Sequence, residues 1–407
     1  MKENILNYYK TVNEFYCEKL QSIASFDDVP FIDKSDLIDS QLKYPPYGCY
    51  TSEKKTICQV YRTSGTTANP LLVTFTDNDI DLITTIGADC FRHVHMGDQG
   101  SDEVVINCLN LSLWAGGFLD SQAMHKTGVQ VVNFGTGNTT ELIRLIVSMT
   151  KKYHVSIHCT PSYLPIIENR LREIFQMAAA QLGLHALYLG AEGGVQNNSF
   201  RSRLKETWNC HVYNANYGMS EVCSIMASAA EDNILKFSNL LNHYYFIELL
   251  DKSYNLKTFS ELESGDEGTL IFTSLKKESQ PLLRYNTKEK IQIKHLNEKG
   301  VYFEVMGRND DMLVYKGINF FPEQLRHIII TFPELSGLYR VQVKKDDLVI
   351  NSINVICEVK NSSLLDDDML KNAIIRKIRN ELTIKVEMVF TTKIEYNGNK
   401  LKMVEFI

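Results

Sequence analysis

Four hydroxyl side chains, Thr63, Ser64, Thr66 and Thr67, surround Gly65 in the stretch YRTSGTTANP (61–70), directly before the apolar run LLVTF. Hydroxyls and backbone N–H groups donate hydrogen bonds to anionic oxygens, and a glycine lets the backbone approach them closely. These residue types at this spacing therefore suit the holding of phosphate groups. The same composition also suits a polar surface turn. A P-loop is excluded, because neither the second glycine nor the lysine of GxxxxGK[ST] follows Gly65. With no lysine of its own, the loop leaves phosphate charge to a divalent cation and to side chains from elsewhere. Three later strands carry Gly, Tyr, Ser and Glu at their C-terminal ends: VSIHCTPSY (155–163), ALYLGAEGG (186–194) and HVYNANYGMSE (211–221).

Elements that could position these groups are legible nearby. Runs rich in β-branched residues predict strands at 71–75, 104–109 and 129–134, and residues 77–92 read as a helix capped by Thr76 or Asp77. Residues 141–153 carry apolar positions at helical spacing and lead into the strand VSIHC, which exits through CTPSY. ALYLG and HVYNANYGM repeat the theme, so a crevice at the carboxyl edge of an α/β sheet is the expected ligand site. Between two strands lies LSLWAGGFLD (111–120), whose adjacent glycines and Trp114 suit close approach to a flat group. The character changes at GRNDD (307–311). Beyond it come a helix starting near Pro322, strands at 339–344 and 347–359, a further helix and the strand VEMVFTTKI. The expected fold class is thus a large multi-layer α/β N-terminal domain, residues 1–308, with a small α+β C-terminal domain, residues 309–407. The first sixty residues add no motif.

The 407 residues are 44% hydrophobic and carry a formal net charge of −6, which argues against a nucleic-acid partner. No apolar signal core opens the chain and no run approaches the length of a membrane span, so a soluble, cytoplasmic protein without a membrane partner is expected. Nine cysteines are scattered singly without a CxxC pair, which fits reduced core residues. His125, His154 and His158 have no partner spacing that argues for a metal or a triad. Cys223 is followed by SIMASAAEDN, which offers no second Cys or His, so no zinc is expected there.

In order along the chain, TSGTTANP, YGMSE, PLLRYNTKEK, GRNDDMLVYKGINFFPEQL and NGNKLK resemble the motifs of the AMP-forming adenylating superfamily. GNTTELIR, CTPSY, MGRNDDML and KGINFFP look most like its phenylacetate-CoA ligase branch. The resemblance implies an adenylation domain with a mobile C-terminal lid, and ATP, Mg²⁺ and coenzyme A as cofactors. It also implies a reaction in two halves: a small-molecule carboxylic acid attacks the α-phosphate of ATP, and a thiol then displaces AMP to give a thioester. An aromatic acid, aryl or arylacetic, is the implied substrate, and related ligases point to a homodimer.

The resemblance also assigns roles. Thr63, Ser64, Gly65, Thr66 and Thr67 would hold the β- and γ-phosphates. Tyr217 and Gly218 would lie against adenine, Ser220 would donate to the α-phosphate, and Glu221 would ligate Mg²⁺. Gly190, Ala191 and Glu192 match the adenine-side loop, Glu289 the ribose carboxylate and Arg308 a cation on ribose or phosphate. Trp114, Gly116 and Gly117 would form the acid's slot, Asp310 the hinge, and Lys316 the next turn. Lys400 matches the adenylation lysine, with Lys402 the alternative two residues on.

Three positions depart from the family pattern: Glu289 stands for aspartate, and Ala68 and Asn399 stand for glycine. They keep two other expectations open. One is transfer of the acyl group to an acyl carrier protein's phosphopantetheine or to an amine. The other is a catalytically weak nucleotide- or acyl-binding relative.

Overall fold

The computed structural model describes residues 1–52, 55–63, 70–112, 114–230, 233–308, 313–315, 318–320, 322–346, 349–395 and 404–407. Ser64, Gly65, Thr66, Thr67, Ala68, Asp310, Lys316, Asn399, Lys400 and Lys402 lie outside the described residues. The chain forms two compact units. One comprises Met1–Ser101, Leu111–Val131 and Ala215–Met306, the other Asp102–Asn110, Val132–Asn214 and Gly307–Ile407.

In the second unit, strand His154–Cys159 lies between Glu103–Asn107 and Ala186–Gly190, all parallel. Its neighbours are buried along their whole length and pack against the helices Thr139–Met149, Leu164–Arg170 and Asn198–Trp208. Parallel strands covered on both faces carry mostly apolar residues, which is why the runs at 104–106 and 186–190 stand out in the sequence. The tail adds a sheet in the order Glu387–Thr391, Val349–Val359, Leu335–Asp346 and Val404–Phe406. Helices Pro322–Ile329 and Asp368–Leu382 supply Leu325, Ile328, Ile374 and Ile378 to its core.

The first unit is mainly antiparallel, which the α/β alternation did not announce. From one edge its strands run Leu256–Thr258, Tyr245–Leu250, Glu267–Ser274, Tyr285–Asn297, Gly300–Arg308, Leu235–Phe237 and Cys223–Ala229. Helix Asp77–His93 begins in a capping box in which Thr76 and Asp79 each accept the other's backbone N–H. The opening sixty residues, silent in motif terms, form the helices Lys2–Val12, Glu14–Leu20 and Lys34–Lys43. They brace the approach to Tyr285. The Tyr9 hydroxyl lies 2.8 and 2.7 Å from the carbonyls of Ser274 and Leu282, and Arg284 donates to the carbonyls of Asp27 and Val29 at 3.0 and 2.9 Å. Among the described residues no helix is long and apolar enough to cross a membrane.

Candidate active site

Strand His211–Met219 carries Tyr217 and Gly218 to a turn holding Ser220 and Glu221, and the chain returns as strand Cys223–Ala229. The return is tight. A Cβ on Gly218 would sit 2.2 Å from the Ser224 carbonyl oxygen, so no other residue fits without moving the backbone. Glu221 is only 7% exposed, and its Oε1 accepts from the Tyr285 hydroxyl at 2.9 Å. Lys34 Nζ lies 3.9 Å from the same oxygen. Lys277, itself 2% exposed, donates to the Glu221 carbonyl at 2.7 Å and sits over the Phe75 ring. Asp79 in turn accepts from the backbone N–H groups of Glu278 and Ser279 at 2.6 and 3.0 Å, so a capping-box carboxylate also fixes the loop that delivers Lys277.

Burial pulls the Lys277 ammonium down to about 8, with Asp79, Glu221 and Cys223 opposing the shift. Between about pH 8 and 10.5 the folded chain has shed this proton while the unfolded chain still holds it. The unfolded state then binds more protons, so stability rises with pH across that window. The wild type should therefore gain about 3 kcal/mol relative to Lys277→Met on going from pH 8 to 10.5. Denaturant unfolding of both proteins at several pH values measures it, and parallel stability curves would refute a Lys277 whose hold on its proton is weakened by folding.

Tyr217 is half-buried, with its ring meeting Phe303 edge-on at 5.4 Å, and Phe303 stacks on Phe237. Ser220 is half-buried beside Glu221. Glu289 belongs to a bulge, because Ile271 pairs with Asn286 and Thr269 with Lys290, leaving Thr287, Lys288 and Glu289 opposite Leu270. The Thr287 hydroxyl pins the bulge by donating to the Leu270 carbonyl at 2.8 Å and accepting from the Glu289 N–H at 3.0 Å. Lys288 takes a positive φ of 61° and pairs with Asp33 at 2.9 Å. A bulge re-aims the side chains it carries, and here it sets the carboxylate that replaces the expected aspartate.

Helix Ala115–His125 starts at Trp114, with Gly116 and Gly117 in its first turn. An isolated parallel bridge between Arg62 and Trp114 brings the end of strand Gln59–Arg62 alongside this segment. The Thr63 hydroxyl and the Trp114 indole nitrogen are buried and have no hydrogen-bond partner among the described residues. Such groups are costly unless a ligand or water satisfies them.

In the other unit, Gly190 ends its strand and Ala191 follows at a φ of 61°, exposed. The Glu192 carboxylate points inward. It accepts from the Ser162 hydroxyl and N–H at 2.8 and 3.2 Å and pairs with Arg326 at 3.1 Å. Ala191, rather than the Glu192 side chain or the buried Gly190, is what this loop presents outward. Gly194, with a φ of 107°, lies against the same arginine, and Gln196 meets His327 at 2.8 Å. Arg308 ends strand Gly300–Arg308, half-buried.

The structure thus ties Glu221 and Gly218 into one turn and sets Thr63 near Trp114, while it commits Glu192 to a structural pair. Sequence reasoning missed Lys277, Tyr285, Asp79 and Arg326. Lys277 is one of two adjacent lysines, and only the fold tells them apart. Among the described residues no group of three His, Cys, Asp or Glu side chains is arranged to hold a metal. The buried Cys223 thiol donates to the Ile225 carbonyl, and burial pushes it up to about 12.

Comparison with known proteins gives this geometry its context. Residues 13–240 match the AMP-binding enzyme family and residues 317–406 match the AMP-binding enzyme C-terminal domain. The phenylacetate-coenzyme A ligase of Aromatoleum evansii is 28% identical over 84% of this chain and 75% of its own length. That of Thermus thermophilus is 27% identical over 78% and 68%. Among solved structures, 2-hydroxyisobutyryl-CoA ligase in the postadenylation state superposes over 100% of this chain and 88% of its own at a TM-score of 0.83 and 18% identity. The fold is therefore a large α/β adenylation domain followed by a smaller C-terminal domain. With its family match covering more than half of its residues, the chain belongs to the AMP-binding enzymes of the AMP-forming adenylating superfamily, in the branch that resembles phenylacetate-CoA ligases.

Proposed function

We propose that this chain is an ATP-dependent acid–CoA ligase whose acid is aromatic, aryl or arylacetic. In the first half-reaction a carboxylate oxygen of the acid bonds to the α-phosphorus of ATP and pyrophosphate leaves. In the second, a thiolate sulfur bonds to the acyl carbon and AMP leaves. Both steps are mostly positioning and charge stabilisation. Thr63 and the loop after it hold the outer phosphates, Ser220 donates to the α-phosphate, and Glu289 accepts from the ribose. Gly190, Ala191, Tyr217 and Gly218 frame the base, Arg308 and Lys316 supply cations, and the chain hinges at Asp310. The domain boundary lies near residue 308.

The observation that carries this reading is the buried Glu221 turn, a carboxylate fixed on one oxygen by Tyr285 and at its backbone by Lys277. One hard oxygen donor fits Mg²⁺ carried in by phosphates, since that ion takes one or two carboxylates and fills its shell with phosphate oxygens and water. Bound there, Mg²⁺ would neutralise the charge that grows on the departing pyrophosphate.

Incubation with ATP, Mg²⁺, CoA and a panel of benzoates, arylacetates and short aliphatic acids tests the proposal. Acid-dependent AMP release with thioester formation, strongest for an aromatic acid, is expected. No AMP release with any acid overturns it. Release without thioester unless a carrier protein is added replaces CoA as the acceptor.

A further inference from the structure

A polar network lies under the start of helix Ala115–His125, where an acid slot of apolar walls has no use for one. Asp120, on that helix, is 0% exposed. Its carboxylate accepts from the Asn216 amide and, at 2.7 Å, from the Ser224 hydroxyl. Asn216 and Ser224 sit on strands His211–Met219 and Cys223–Ala229, on either side of the Ser220–Glu221 turn, and each keeps 8% exposure. The network is therefore a buried carboxylate backed by two groups that retain a small accessible face.

Ser224 borders open space. Among the described residues, a Cβ built on Gly116 would meet its hydroxyl oxygen at 3.9 Å and no other residue beyond its own turn within 4 Å. The polarity of that hydroxyl is also fixed. A serine has one proton to donate, and Ser224 gives it to Asp120, so only lone pairs remain for a ligand. At the N-terminal end of the same helix, the buried Trp114 indole N–H has no acceptor among the described residues. An oriented acceptor beside Gly116 suits a substituted acid and is wasted on a plain hydrocarbon ring.

We propose that Ser224, its hydroxyl oriented by Asp120, is a specificity-determining acceptor beside Gly116, and that the acid this enzyme activates carries a hydrogen-bond-donating hydroxyl or amino substituent. Asp120 acts as a positioning residue and Ser224 as the group in contact. The proposal rests on the ligase reading above and narrows its substrate class.

Pyrophosphate release is measured with benzoate and phenylacetate, with their 2-, 3- and 4-hydroxy and amino derivatives, and with the methyl derivatives as size controls. In the wild type at least one hydroxy or amino acid should exceed its methyl counterpart in kcat/KM by about tenfold or more, the worth of one well-fixed hydrogen bond. Ser224→Ala should bring that ratio close to one. Asp120→Asn, whose amide both donates and accepts, should lower it by freeing the serine's polarity. The wild-type panel needs no variant to fold, and a preference for unsubstituted or methyl acids overturns the proposal while the ligase reading stands. A Ser224→Ala variant that slows every acid equally, with the ratio intact, also overturns it, because Ser224 is then only packing. If no acid releases pyrophosphate, the ligase reading fails and takes this inference with it.

Discussion

Glu221→Gln should lower acid-dependent AMP formation by about two to three orders of magnitude, comparable to removing a preorganised charge-stabilising group from an active site. The change is nearly isosteric and its carbonyl can still accept from Tyr285, so the turn keeps its shape. What disappears is the negative charge. Lys34 at 3.9 Å and Lys277 at the backbone carbonyl then face no anion at this position, and a phosphate-borne cation loses its protein oxygen. The deficit should shrink as Mg²⁺ concentration rises, because weakened ion binding is partly recovered by mass action. Initial rates of AMP release across a Mg²⁺ titration, together with the variant's thermal unfolding, decide it. A variant with the wild-type rate and Mg²⁺ dependence would reduce Glu221 to a packing role.

Lys400→Ala should separate the two half-reactions. An ammonium that bridges the acid and the α-phosphate stabilises charge only while the adenylate forms, so its loss should cost acid- and ATP-dependent adenylation about 10²- to 10³-fold. Conversion of preformed acyl-adenylate and CoA to thioester should continue near the wild-type rate, since no phosphoryl transfer remains in that step. Lys402→Ala is the internal control and should change neither. If Lys402→Ala loses adenylation and Lys400→Ala does not, the role moves two residues along. If both half-reactions fall together in Lys400→Ala, the lysine serves the fold instead.

Much of the fold and part of the site can be read from the amino-acid sequence. The parallel strand at 186–190 is buried throughout and reads as an apolar run, so local pattern suffices there, while the strand at 154–159 is buried from Val155 onward although Ser156 and His158 interrupt its run. Glu221 and Gly218 are legible because a tight turn forces specific residue types into adjacent positions. Lys277, Tyr285 and Asp79 are not, for a physical reason. Their work is done across separations of 56, 64 and 199 residues, to Glu221 in the first two cases and to Glu278 in the third, and no local periodicity records such contacts. The antiparallel block after residue 223 escapes pattern reading because strands with one mixed face, such as Tyr285–Asn297, dilute the apolar signal. Glu192 shows the converse failure. Its neighbours suggest an adenine-side loop, yet which way its side chain turns depends on Arg326, 134 residues away.

That same pair carries a lesson about descent. Glu192 and Arg326 lie in segments matched to the family's two separate regions, and both side chains are almost wholly shielded from water. Deleting either partner strands a charge inside the protein at a cost of about 3–5 kcal/mol, whereas exchanging both for apolar residues is often close to neutral. Inheritance should therefore treat the two positions as one character. Homologous sequences should keep both charges or lose both, and a gene fusion that borrows the tail from a relative without the arginine should fold only when position 192 is changed with it.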